Sequence, residues 1–207
     1  FAEQEVAPFS QALWEEEDFP YEIWRQAGEL GYIVLPYPEA YNGGGGDWLG
    51  FAIVLAEIAR VDCAVAVSIM ANSTAASLLN NFGTEEQKLR YLRPILDGSQ
   101  VGCICLTEPN AGSDAANIQT RASLQEGRWV INGSKIFITN AGFADVFIII
   151  AVTGILTDKK GRKSKEISAF IVERTDPGFS VGKPEDKMGI RGSSTCELIM
   201  EDCIIPK

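Results

Sequence analysis

The sequence predicts an α+β protein: an all-helical domain over residues 1–99, followed by a small antiparallel, barrel-like β domain over residues 100–207. Two patterns carry this reading. Up to residue 99 the apolar side chains recur at helical spacing. From Gln100 the repeat shortens to two, β-branched residues take over and turn signals come at short intervals. Helical runs followed by strand runs point to segregated layers. A third observation bounds the size: 207 residues, 46% of them apolar, can bury a real core in one or two domains.

Each element has its own signal. Leu49, Ile53, Ala56 and Ala59 keep a helical period behind Asp47, whose side chain suits an N-cap. Residues 64–82 are rich in Ala, Val and Leu, with only small polar groups, and read as a buried central helix rather than a membrane span. Thr84-Glu85-Glu86-Gln87 is a capping box opening a helix with Leu89, Leu92 and Leu96 on its buried side, and Asp97-Gly98 stops it. In the second half, Trp129-Val130-Ile131 and Ser134-Lys135-Ile136 flank Asn132-Gly133, which predicts a type I′ hairpin turn there. Residues 146–152 form a fully buried strand, residues 157–165 a polar, basic excursion, and residues 166–173, 179–183 and 196–201 further strands.

Composition removes whole classes of chemistry. The chain has no histidine, so Ser-His-Asp hydrolysis, Cys-His proteolysis and H-E-x-x-H metal sites are excluded. The five cysteines (Cys63, Cys103, Cys105, Cys196, Cys203) lack C-x-x-C spacing and read as reduced core thiols; a lone C-x-C is no zinc site, so no metal is expected. A net charge of −10 disfavours nucleic acid and anionic membrane as partners. No signal peptide is visible, and the run 146–152 is far too short to span a bilayer. The chain opens without Met, already in a helical pattern, and stops at Ile205-Pro206-Lys207 just after a strand-like run, so both ends read as cuts in a longer protein.

The most informative segment is Cys103-Ile104-Cys105-Leu106-Thr107-Glu108-Pro109-Asn110-Ala111-Gly112-Ser113-Asp114. A short apolar strand ends in Thr107, turns through Pro109 and Asn110, and presents a Gly-Ser pair. Successive N–H groups in such a turn form an anion-binding nest, and Gly112 lacks the Cβ that would hold a phosphate away. The spacing fits neither G-x-G-x-x-G nor a P-loop. A second segment, Lys135-Ile136-Phe137-Ile138-Thr139-Asn140, puts Phe137 and Thr139 on one face of a strand, a ring beside a hydroxyl. A third runs Asp186-Lys187-Met188-Gly189-Ile190-Arg191-Gly192-Ser193-Ser194-Thr195, where the plain reading has Gly189 and Gly192 shaping turns and Arg191 pairing with a carboxylate.

These three segments together resemble the acyl-CoA dehydrogenase family, whose flavin-contacting signature is L-T-E-P-x-A-G-S-D and whose β domain carries W-I-T or F-I-T and K-[ML]-G-x-R-x-S. The wording is closest to short-chain, butyryl-type members. The resemblance covers the whole chain in order. It implies that Ile104, Cys105, Leu106 and Thr107 meet the pyrimidine edge of FAD, and that Phe137, Ile138 and Thr139 pack near its ring and N5. Gly112 and Ser113 would lie near the pyrophosphate, with Ser113 also near the acyl-CoA thioester. Phe137 stands where many members have Trp. It further implies oxidation of an acyl-CoA to its trans-2-enoyl-CoA, reoxidation by an electron-transferring flavoprotein, a homotetramer, and a cytoplasmic (bacterial) or mitochondrial-matrix (eukaryotic) location. A second helical domain carrying the Glu base is expected after Lys207, leaving no catalytic residue in this chain. An oxygen-using relative (acyl-CoA oxidase or flavin monooxygenase) and a non-catalytic flavin- or CoA-binding module are the alternatives.

Other features read as structural. The glycines 43–46 lack the Lys and Ser/Thr of a phosphate loop and lead into a helix. Glu15-Glu16-Glu17-Asp18 is a solvated helix end, Lys159-Lys160-Gly161-Arg162-Lys163 a solvated hairpin tip, and Glu108 a hydrogen-bond acceptor in a turn rather than a base.

Overall fold

A computed structural model describes residues 1–16, 19 and 21–206. Two short helical turns, Ala2–Val6 and Ala7–Phe9, lead into α1 (Ser10–Glu16), and α2 (Tyr21–Glu29) follows. Of the acidic run 15–18, Glu15 is exposed; Glu17 and Asp18 and the Glu16 side chain lie outside the described residues. Two long helices, α3 (Trp48–Val61) and α4 (Cys63–Phe82), pack on each other. Both start on an aspartate: Asp47 accepts from Gly50 N at 2.7 Å and Asp62 from Val65 N at 3.0 Å, each satisfying an N–H of the first turn. The last helical stretch comprises α5 (Glu85–Gln87), a π segment (Lys88–Leu92) and α6 (Arg93–Leu96), with the predicted Thr84–Gln87 capping box in place. Gly98, at φ +78°, ends it as expected.

The helical part departs from expectation in which faces it buries. On α3 the buried residues are Phe51 and Ile58, whereas Leu49 and Ile53 are 71% and 57% exposed. On the last helical stretch Leu92, Ile95 and Leu96 are buried but Leu89 is exposed. A period locates a helix; what covers each side is a tertiary question. The long apolar α4 meets the length and composition of a membrane span, yet 61% of its apolar window is buried inside the fold, as expected of a central helix.

Seven strands form a mixed sheet curled into a half-barrel: β1 (Gly102–Cys105), β2 (Arg121–Gln125), β3 (Arg128–Thr139), β4 (Val146–Thr157), β5 (Lys163–Glu173), β6 (Phe179–Pro184) and β7 (Thr195–Pro206). The order is β1-β4-β2-β3-β7-β6, with β5 on β4. Most pairs are antiparallel as expected, but β1 and β2 run parallel to β4, because residues 106–120 cross over between them. The β4–β5 hairpin ends in an exposed tip at Asp158–Arg162, the solvated basic excursion of the sequence.

The predicted hairpin turn at Asn132-Gly133 is absent. Strand β3 runs straight through it, and the two-residue turn lies at Glu126-Gly127, both at positive φ (50° and 78°), between the paired Gln125 and Arg128. Asn132 instead faces a bulge in β7, where Asp202 has φ 49°: Asn132 Nδ2 donates to Asp202 Oδ1 at 3.0 Å and Asp202 N to Asn132 Oδ1 at 2.8 Å.

Helices and sheet share one continuous core. Asn72 on α4 pins them together, accepting from Gly102 N at 2.7 Å and donating to Ile95 O at 3.3 Å. Gly102 permits that approach, since a Cβ there would sit 2.9 Å from Ile95 Cδ1. Among the cysteines, Cys103, Cys105, Cys196 and Cys203 are buried thiols, whereas Cys63, expected in the core, is exposed at the start of α4.

Candidate functional site

Strand β1 ends at Cys105, two residues before the Thr107 expected from sequence. Leu106 and Thr107 then lead into a tight turn closed by two backbone bonds, Glu108 N to Ala111 O at 3.2 Å and Ala111 N to Glu108 O at 3.0 Å. Glu108, only 5% exposed, is the acceptor that holds this turn. It takes hydrogen bonds from Gln119 N (2.5 Å), Thr120 N (3.0 Å) and Lys135 Nζ (2.7 Å). Burial pushes the carboxyl's pKa up, but the Gln119 N–H, the Lys135 ammonium and the Thr120 donors together hold it below the ordinary value. The expectation that Glu108 is a structural acceptor is therefore met.

Lys135 is the residue that sequence reasoning missed. Its side chain is fully buried, and its ammonium donates both to Glu108 Oε1 and, at 3.1 Å, to Leu106 O. Burial lowers its pKa, and the adjacent Glu108 carboxylate opposes that shift. The signal was present: Lys135 has the same strand phase as the buried Ile131, and a lysine on an inward phase needs a buried anion. The next residue along β3, Ile136, donates its N–H to Thr107 O at 2.9 Å.

Immediately beyond, β3 bulges. Lys135 pairs with Leu198 and Ile138 with Cys196, so β3 holds one extra residue there, and Phe137 takes φ +58°. The bulge resets the alternation. Unbroken, Phe137 would share the inward phase of Lys135; instead its ring is 59% exposed, Ile138 is buried and Thr139 half-buried. Among the described residues the Thr107 and Thr139 hydroxyls have no hydrogen-bond partner, and neither do the N–H groups of Gly112 and Ser113, both exposed. A Cβ at Gly112 would meet nothing within 4 Å. Ile104 and Leu106 are half-buried, whereas Cys105 and Ile138, expected at the cofactor, are buried and present no side chain to a ligand. The result is an exposed aromatic residue and two unpartnered hydroxyls at the β3 bulge and the β1 exit bonded to it, with two free amide donors in the turn that follows.

The third segment is a loop braced against the helices. Arg191 Nη1 donates to Asp186 Oδ1 (2.6 Å) and Lys187 O (2.7 Å), the carboxylate pairing expected. A Cβ on Gly192 would lie 3.1 Å from Leu13 Cβ, so this glycine serves close packing, while the positive φ of the loop falls on Ile190 rather than Gly189. The Arg191 guanidinium also sits 5.9 Å from the Trp14 ring centre, beside a cleft of about 200 Å³ that includes Ser10 and Asp62.

Sequence models of the acyl-CoA dehydrogenase N-terminal and middle domains match residues 1–99 and 103–203. The chain is 47% identical to the short-chain specific acyl-CoA dehydrogenase of Clostridium acetobutylicum, over 100% of this chain and 53% of that protein. Among solved structures, butyryl-CoA dehydrogenase from Megasphaera elsdenii gives a TM-score of 0.90 at 39% identity, over 99% of this chain and 54% of that one. A chain in the structure of the electron transferring flavoprotein of Acidaminococcus fermentans also gives 0.90, at 42% identity, over 100% of this chain and 53% of that one. The chain spans about half the length of the curated relatives it matches. With motifs, fold and relatives in agreement, the chain belongs to the acyl-CoA dehydrogenase family, of which it carries the N-terminal and middle domains.

Proposed function

We propose that this chain forms the FAD-contacting part of a dehydrogenase that converts a short-chain acyl-CoA to its trans-2-enoyl-CoA, with a helical domain over residues 1–99 and a β domain over residues 100–207. The observation that carries the reading is that the exposed Phe137 and the unpartnered Thr139 hydroxyl lie two residues apart at the β3 bulge, with Thr107 bonded to the same stretch of β3 through Ile136. The donor set fits a flavin: a flat apolar face, hydroxyls for the ring edge, and two adjacent free N–H groups at Gly112 and Ser113 for an anionic pyrophosphate. When bound, FAD supplies a two-electron acceptor for the hydrogen leaving the substrate β-carbon.

The chain's own residues then bind and orient. Thr139 would donate toward the flavin ring, Thr107 and residues 104–106 would hold its pyrimidine edge, and Ser113 would bind near the pyrophosphate and the substrate thioester. None of them removes the α-proton. Glu108 is unsuited to that step, because it is buried, ion-paired and held ionised by three donors. The base therefore belongs to the part of the family's length that this chain does not span. An electron-transferring flavoprotein would take the electrons from the reduced cofactor, a reading supported by the relative found in such a structure.

Anaerobic addition of butyryl-CoA to the full-length protein with FAD should bleach the flavin absorbance, and timed exposure to air should restore it only slowly. Rapid reoxidation by air would move the assignment to an oxidase. No bleaching with any acyl-CoA would overturn the dehydrogenase reading.

A further inference from the structure

The buried Glu108–Lys135 pair is more than the reaction scheme asks for. Two residues in succession on β3 hold three in succession after β1: Lys135 Nζ bonds Leu106 O and Glu108 Oε1, and Ile136 N bonds Thr107 O. The β3 bulge begins directly after this clamp, and it is the bulge that turns Phe137 outward and brings Thr139 to its half-buried place. Glu108 extends the clamp to a third segment through the Gln119 and Thr120 N–H groups, and Thr120 Oγ1 returns to Ser134 O at 3.3 Å, one residue before Lys135. The ring of contacts from Leu106 through Glu108 and Thr120 to Lys135 thus closes on itself.

We infer that Glu108 and Lys135 are positioning residues that lock the β1 exit turn to the β3 bulge, fixing the separation at which Thr107 and Thr139 engage the flavin edge. The inference rests on the flavin-binding reading above. A buried ion pair is a weak source of net stability, since desolvation offsets its attraction, but it specifies one geometry where an apolar pair of the same size tolerates several. A shift of about 1 Å in a group that orients a reacting partner costs up to roughly 100-fold in rate.

The test uses the full-length protein with FAD, the nearly isosteric variant Glu108→Gln, and the double variant Glu108→Gln/Lys135→Met, which leaves no unpaired charge in the core. Flavin content, thermal stability, flavin reduction rate per bound flavin with butyryl-CoA, and the visible circular dichroism of the bound flavin are measured on each. For positioning residues, the double variant should keep wild-type stability and an unchanged KM, while reduction per bound flavin falls roughly 10- to 100-fold and the flavin dichroism changes. If either variant reduces its bound flavin at the wild-type rate with wild-type dichroism, the pair is merely structural and the inference is overturned. A wild-type protein that takes up no flavin would instead overturn the functional reading on which the inference stands.

Discussion

Glu108 and Lys135 face each other at 2.7 Å with almost no contact with water, so removing one of them leaves the other as an uncompensated buried charge. That loss, more than the missing attraction, sets the cost. Glu108→Ala should therefore destabilise the fold by about 3–5 kcal/mol in urea unfolding at neutral pH. The pH dependence follows from the direction of the carboxyl's shift. Because its folded pKa lies below the ordinary 4.5, the stabilisation is complete above that value and disappears as pH falls through the lower folded value. Lys135 acts in the same direction in a higher window: burial lowers its pKa, so its charged form costs stability until the pH rises toward 10.5, and both groups make stability rise with pH. The stability gap between wild type and Glu108→Gln should accordingly narrow below about pH 4, and a gap that stays constant down to pH 2 would show that the carboxylate's charge contributes nothing. Thr139 is a different case, because its hydroxyl has no partner among the described residues and bonds nothing there that holds the fold. Thr139→Val should leave thermal stability unchanged and slow flavin reduction by about two- to tenfold, the effect of one hydrogen bond of ~0.5–1.5 kcal/mol. Unchanged reduction kinetics would remove Thr139 from the site.

At the scale of elements, the β3 bulge at Phe137 decides where the site residues point, and a turn and a second bulge set the pairing of β3 before it. The Glu126-Gly127 turn puts a non-glycine residue at φ 50°, a conformation that strains most side chains but suits asparagine. Glu126→Asn should raise stability by up to ~1 kcal/mol. Asn132→Ala should lower it by ~1 kcal/mol, because it deletes both hydrogen bonds to the β7 bulge at Asp202. Thermal unfolding of the two variants in opposite directions would place the turn at residues 126–127; a loss at Glu126 would contradict it. These same elements show what the sequence can and cannot tell. Caps at Asp47, Thr84 and Gly98, the buried strand β4 and the helix-to-strand switch near residue 100 are local signals, written in the residues that make them. The Asn-Gly pair is a local signal too, but here pairing with β7 outcompeted the turn. The bulge at Phe137 has no such mark: nothing in Lys135-Ile136-Phe137 distinguishes it from plain alternation, and it exists because Lys135 is held from one side and Ile138 from the other. The motif residues of the proposed site can therefore be picked out of the sequence by name, while the ion pair beside them was legible only as an inward-phase lysine lacking a partner.

At the scale of the molecule, this chain holds the strands proposed to face the cofactor, while apolar side chains on both its helical and β parts stay open to solvent. The helical part leaves Trp48, Leu49, Ile53, Leu89 and Phe82 exposed, and the ring of Phe137 stands open on the β side. Full-length relatives are about twice as long, and a site that orients an acyl-CoA needs walls that exclude water as well as donors that bind. We expect the full-length protein to assemble as a homotetramer, so sedimentation as an active, FAD-loaded monomer would refute that expectation. Residues 1–207 by themselves should behave differently. Their described carboxylates are exposed to solvent, engaged in caps, ion pairs or backbone hydrogen bonds, or, in the case of Glu108, buried and held ionised by donors, while Glu197 is half-buried on β7. A general base must reach the α-proton and be free to accept it, and we expect no group here to meet both conditions. The open site should also release FAD readily, since the unsatisfied hydroxyls and N–H groups contact it from one side only. Purified residues 1–207, mixed with FAD and butyryl-CoA without oxygen, should therefore leave the flavin absorbance unchanged over the time in which the full-length protein bleaches completely. Bleaching at an enzymatic rate would mean that a base lies within this chain, and Glu108, the carboxylate nearest the flavin motif, would be the first residue to replace.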